Sequence, residues 1–116
     1  MRIGIDLVEI PRIRKSLELK GFLERVFSPE ERLMLKKRKD MAQSAAACFA
    51  AKEAFSKAVG TGLVGFSLRD VSVLRDGLGA PYIKLSGRAG ELYGGEKIFV
   101  SLTHTKDTAA AVVIIE

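Results

Sequence analysis

Hydrophobic and polar positions alternate from the start of the chain. In Arg2-Ile3-Gly4-Ile5-Asp6-Leu7-Val8, the residues Ile3, Ile5 and Leu7 fall on one face of a strand and Asp6 on the other. Pro11 suits the first position of a helix, where its missing N–H is not needed, and that helix is expected to reach about Lys20. Ser28-Pro29-Glu30-Glu31 predicts a second helix start: a hydroxyl cap, a proline, and a Glu three residues after the cap. It runs into Lys36-Lys37-Arg38-Lys39. Asp40 is placed to cap the longest helix, roughly 41 to 59, which is rich in Ala and closed by Gly60. After Gly65 the period shortens. Asp70 to Leu74 and Pro81 to Leu85 read as strands flanking the turn Asp76-Gly77-Leu78-Gly79. A short helix over Gly87 to Tyr93 follows, then a hairpin of Ile98 to Thr103 and Thr108 to Ile115. Helices in the middle and strands at both ends predict an α+β fold: a mainly antiparallel sheet packed on a long central helix, as a single small domain over 1–116. No series of β-α-β units argues for a doubly wound nucleotide fold.

Composition adds a partner class. The 116 residues carry a formal charge of +5, and the surplus is confined to the first 60, with 13 Lys+Arg against 8 Asp+Glu. The remainder balances, six against six. An acidic partner is therefore expected on the first half. No apolar run approaches the ~20 residues of a membrane span, and the start lacks a signal-peptide pattern, so a cytoplasmic protein without a membrane role is expected. The single Cys48 excludes an internal disulfide framework and a Cys-based zinc cluster.

The candidate chemistry is sparse. Glu53 and Lys57 are four apart on the central helix and share a face; alone, such a pair is a surface contact of about 0.2–0.5 kcal/mol. Its company is alanine, however, and a helix of small residues packs closely against something, where a charge needs a partner. Asp6 is a charge in an otherwise apolar strand. Either it faces solvent on an edge strand, or it joins Glu53 in a two-carboxylate magnesium site, since magnesium takes oxygen ligands and often only one or two carboxylates. Spacing alone does not bring the two together. His104, the one histidine, stands in Ser101-Leu102-Thr103-His104-Thr105-Lys106, a polar turn that suits ligand contact or proton handling as well as a structural role. Gly60-Thr61-Gly62 follows a helix C-terminus, whose dipole repels anions, so it reads as a helix stop and not a phosphate loop. Lys36 to Lys39 reads as a solvated face, and Cys48 among alanines as packed and inert.

Taken in order, Gly4-Ile5-Asp6-Leu7-Val8-Glu9-Ile10 with Arg12, Phe49-Ala50-Ala51-Lys52-Glu53-Ala54-Phe55-Ser56-Lys57-Ala58, Gly60-Thr61-Gly62, Gly79-Ala80-Pro81-Tyr82 and Ser101 to Lys106 resemble the holo-[acyl-carrier-protein] synthase family, the small bacterial phosphopantetheinyl transferases. Three positions depart from its usual pattern: Arg2, Cys48 and Ala80, the last two standing where basic residues are common. The resemblance implies the phosphopantetheinyl transferase fold and transfer of the phosphopantetheine arm of coenzyme A to a serine hydroxyl of apo-acyl carrier protein, releasing adenosine 3′,5′-bisphosphate. By the same resemblance Asp6 and Glu53 hold Mg2+, Lys57 meets the leaving phosphate, and His104 with Thr105 contacts the coenzyme. A water on the ion held by Glu53, or Asp6 itself, takes the serine proton. Arg12 matches a carrier-binding position, with Arg14 and Arg25 nearby by charge, and the family implies a homotrimer with active sites between subunits. Two other readings compete: a small basic nucleic-acid-binding module using Lys36 to Lys39, though aromatics for a stacking platform are few, and a non-catalytic relative that only binds a carrier.

Overall fold

The computed structural model describes residues 1–60 and 65–116. Strand β1 (Arg2–Glu9) leads into helices α1 (Ile10–Ser16), α2 (Phe22–Val26) and α3 (Pro29–Lys36), then the long helix α4 (Met41–Val59). A hairpin of β2 (Val71–Arg75) and β3 (Pro81–Leu85) follows, then helix α5 (Gly87–Tyr93) and a second hairpin, β4 (Ile98–His104) and β5 (Thr108–Ile115). The fold class is α+β with antiparallel pairing throughout. The strands form two sheets, however: three in the order β1-β5-β4, and the separate pair β2-β3.

Local chemistry fixes most of the boundaries. The capping box at α3 is complete, since Glu31 N donates to Ser28 Oγ at 3.3 Å and Ser28 N donates to Glu31 Oε1 at 2.9 Å. Asp40 Oδ1 accepts from Gln43 N at 3.2 Å, and α4 stops at Gly60, whose φ of 80° terminates the helix without a Cβ penalty. One expected boundary is wrong. Helix α1 ends at Ser16 and not near Lys20, because the next residues tighten into three-residue turns, with Glu18 N bonded to Lys15 O and Leu19 N to Ser16 O. Gly21, at φ 83°, then redirects the chain into α2, which the hydrophobic pattern did not separate.

Helix α4 is the spine. Its alanines, among them Ala50, Ala54 and Ala58, are buried, and their small size lets the three-stranded sheet lie close on the helix through Gly4, Val8, Ala109, Ala111 and Val113. The opposite face of that sheet is bare. Ile3, Ile5 and Leu7 are 64%, 64% and 67% exposed, and the register continues the row across to Ile114 and Phe99. Among the described residues no helix is long and apolar enough to cross a membrane.

Candidate active site

Asp6 belongs to the face of β1 that meets α4, the face shared with Gly4 and Val8, and is only partly covered there. Helix α4 presents Glu53 and Lys57 one turn apart at the same seam. The ammonium of Lys57 crosses it, donating to Asp6 Oδ1 at 2.9 Å and to Ile5 O at 3.1 Å. The same-face Glu53–Lys57 surface pair is therefore not what forms, because a carboxylate and a carbonyl on β1 capture the ammonium together. Among the described residues nothing donates to the Glu53 carboxylate. Burial, and next the charge of Asp6, raise its proton affinity, while Lys57 and Arg12 act against them. Two carboxylates that feel each other and one ammonium leave a site short of positive charge. Among the described residues no cluster of three or more His, Cys, Asp and Glu could hold a metal. Two hard oxygen donors with open surroundings nevertheless fit magnesium, which keeps waters and takes substrate phosphates for its remaining ligands; they do not fit zinc.

His104 and Thr105 are elsewhere. In the register, Val8 pairs with Ala109 and Ala109 with His104, so β5 separates the histidine from β1 by about 10 Å of sheet at ~4.8 Å per strand. Asp6 is two residues further along. His104 is exposed, with Nδ1 3.2 Å from Thr105 O, and the Thr105 hydroxyl accepts from Thr108 N at 3.2 Å to close the β4–β5 turn. Within one chain the structure thus unites Asp6, Glu53 and Lys57 and leaves His104 and Thr105 apart from them.

The three candidate carrier-binding arginines do not form one patch. Arg12 and Arg14 are two apart on α1 and point to different sides. Arg12 lies close enough to Glu53 to influence its ionisation. Arg14 pairs with Asp40 at 3.6 Å, and Arg25 bonds back to Lys20 O at 3.4 Å. Arg12 instead shares an apolar groove with Lys15, Ser16 and Leu19. The spacing i, i+3, i+7 of Arg12, Lys15 and Leu19 was the available sign of that grouping.

Sequence reasoning also missed the buried pair Lys52–Glu31, closed at 2.6 Å. A lysine directly after two alanines, on a helix otherwise rich in small residues, was the signal for it. Cys48 is buried as expected, its thiol pushed up to about 12 chiefly by burial and next by Glu31, so it is inert. Lys36 to Lys39 are exposed, and Lys37 and Arg38 line a groove of about 580 Å3 with Leu33, Arg75 and Tyr82. Gly60 is the helix stop, while Thr61 and Gly62 lie outside the described residues.

With that geometry in place, comparison with known proteins identifies the class. The model of the 4'-phosphopantetheinyl transferase superfamily matches residues 2–113. The chain belongs to that superfamily and is an enzyme of that class. Within it, the chain falls among the holo-[acyl-carrier-protein] synthases: it is 52% identical to the one from Treponema denticola, over 98% of this chain and 96% of that protein. The crystal structure of the Neisseria meningitidis synthase superposes with a TM-score of 0.89 at 34% identity, covering 99% of this chain and 97% of the other. That of the Bacillus anthracis synthase, in complex with CoA (3',5'-ADP), gives 0.83 at 37%, covering 98% and 94%.

Proposed function

We propose that this protein transfers the 4'-phosphopantetheine arm of coenzyme A to a serine hydroxyl of an apo-acyl carrier protein, releasing adenosine 3',5'-bisphosphate, with Mg2+ held by Asp6 and Glu53. The observation that carries the reading is the junction of Asp6, Glu53 and Lys57 across the β1–α4 seam. When bound, a divalent cation supplies positive charge to the pyrophosphate oxygens. Asp6 and Glu53 provide the anchorage, and the carboxylate charge that raises the proton affinity of Glu53 is what such a cation offsets. Lys57 faces the same opening with its side chain more than half exposed, so it can move from Asp6 to the leaving phosphate and neutralise its developing charge. The serine oxygen forms its bond to the phosphorus that carries the pantetheine arm, and the bond from that phosphorus to the nucleotide oxygen breaks. The serine proton has two carboxylate acceptors in the site, Asp6 and Glu53.

His104 and Thr105 reach this chemistry only from another copy of the chain. A homotrimer with active sites between subunits is the arrangement we favour, and the bare apolar face of Ile3, Ile5, Leu7, Phe99 and Ile114 is the surface such an assembly would cover. The groove of Arg12, Lys15 and Leu19, which Glu18 also lines, carries two cations against one carboxylate and suits an acidic carrier helix. In the other groove Glu30 is paired with Lys84, and the cations Lys37, Arg38 and Arg75 suit the nucleotide phosphates of coenzyme A. All of this chemistry belongs in the cytoplasm, where coenzyme A is the donor at hand.

The test is the mass of an apo-carrier protein after incubation with the enzyme, coenzyme A and magnesium. Addition of one phosphopantetheine is expected. An unmodified carrier, where a control transferase works, would remove the activity, and binding without modification would mark a non-catalytic relative. Mixing inactive Asp6→Asn and His104→Ala proteins, with subunit exchange, is expected to restore part of the activity if the sites are shared between subunits.

A further inference from the structure

We propose that Gly4 is a positioning residue for the carboxylate pair: its missing side chain sets the spacing at which Asp6 and Glu53 hold one cation, an inference that rests on the metal reading above. Strand β1 meets α4 at this residue. A Cβ on Gly4 would stand 1.9 Å from Ala54 O and 2.8 Å from Ala58 N. Both are backbone atoms of a helix interior, so neither can swing aside as the end of a side chain would. Among the described glycines this is the tightest approach. Conformation is not the reason for glycine here, since Gly4 is absent from the positive-φ residues and sits within a regular strand. What it supplies is room.

That contact adjoins the site on both elements. Ala54 follows Glu53 and Ala58 follows Lys57 on α4, while Asp6 is the next residue along β1 on the same face, about 7 Å away at ~3.4 Å per residue. Lys57 reaches Ile5 O and Asp6 Oδ1 together only because strand and helix are this close. A methyl group at position 4 would push β1 off α4 and carry Asp6 with it, whereas Glu53 would stay on the helix. Magnesium-like ions demand near-octahedral bonds of ~2.0–2.1 Å to oxygen and tolerate such a shift poorly. The cost of the methyl group therefore falls on cation binding beyond its cost to packing.

The experiment is direct binding of Mn2+ to the purified protein, without coenzyme A or carrier, read by the electron-paramagnetic-resonance signal of the free ion. Asp6→Asn and Glu53→Gln locate the site; if neither weakens binding to the parent, the metal reading itself falls. With binding located, Gly4→Ala is expected to weaken it at least five-fold at a temperature where its circular dichroism is native. Ala58→Ser, which adds an oxygen on the helix side of the seam, replaces Gly4→Ala if that protein does not fold. Ala46→Ser, at a buried alanine of α4 eight residues and so about 12 Å along the helix from Ala54, is the control, lowering the unfolding midpoint but leaving Mn2+ affinity unchanged. A loss smaller than five-fold in the folded seam variant, an equal loss in the control, or failure of both seam variants to fold would overturn the assignment.

Discussion

Lys52 and Lys57 sit five residues apart on α4, and each donates to a carboxylate of another element, Glu31 at 2.6 Å and Asp6 at 2.9 Å. Lys52 has no further bond to offer. Its ammonium also donates to Leu68 O at 3.0 Å and Val71 O at 2.5 Å, it lies over the Phe27 ring, and both side chains of the pair are 0% exposed. Burial pulls its proton affinity down, and the Glu31 charge acts against that loss. Glu31 is equally spoken for, accepting from Ser28 N and Val73 N. Lys57 is 56% exposed and Asp6 17%, beside a Glu53 that nothing described donates to. Two pairs with the same chemistry therefore differ in what they leave open. The closed one ties α3, α4 and β2 together; the open one can exchange its partner for a substrate.

The largest effect that tests this contrast is on stability. Lys52→Met strands a buried Glu31 and is expected to cost about 3–5 kcal/mol, a large part of the ~5–15 kcal/mol typical of a domain, measured by urea unfolding. Lys57→Met should shift stability by less than about 1 kcal/mol, as an exposed pair does, yet lower turnover by ~10²–10³. Exchange of those two outcomes would break the comparison outright. A smaller effect sharpens it: Glu31→Gln added to Lys52→Met removes the unpaired charge while keeping an acceptor for one of the two amides, Ser28 N or Val73 N, that now donate to separate oxygens. The double variant should unfold at higher urea than Lys52→Met alone.

The smallest effect concerns Glu53 and pH. Its proton affinity is higher in the fold than in the unfolded chain, so the fold gains from protonated Glu53 at low pH. That gain is lost as pH rises through the folded pKa. At neutral pH the ionised carboxylate is thus a cost, and Glu53→Gln should unfold at slightly higher temperature than the parent in metal-free buffer. The advantage should vanish below the ordinary glutamate range, near pH ~4. An advantage unchanged with pH would mean that ionisation of Glu53 is not its source.

Elements governed by local chemistry were legible in the residues. The capping box at Ser28 to Glu31, the Asp40 cap, the Gly60 stop and the Asp76 to Gly79 turn each depend on a few neighbours, and each stands where expected. What depends on the rest of the fold was less so. Alternation placed Ile3, Ile5 and Leu7 on one face, but nothing in it says that this face is bare and that the face bearing Asp6 meets the helix. The end of α1 failed because its last residues keep forming turns, only tighter ones. The β1 partners of Lys57 were not legible, because a helical neighbour such as Glu53 is visible in sequence and a strand carbonyl 52 residues away is not. The meeting of Asp6 with Glu53 was one of two readings the residues left open, which family resemblance alone favoured, and the separation of His104 from both is a matter of strand order.

The double employment of Glu31 has a consequence for how the molecule opens. Because one carboxylate caps α3 and balances the lysine of α4, the first turn of α3 cannot fray without stranding a buried ammonium three elements deep. The amides of Ser28, Glu31 and Val73 should therefore exchange with solvent at a single free energy, the one shared by the middle of α4, even though α3 is a short helix near the surface. The β1–α4 seam has no such lock, and its Lys57 contact can open and close without disturbing that unit.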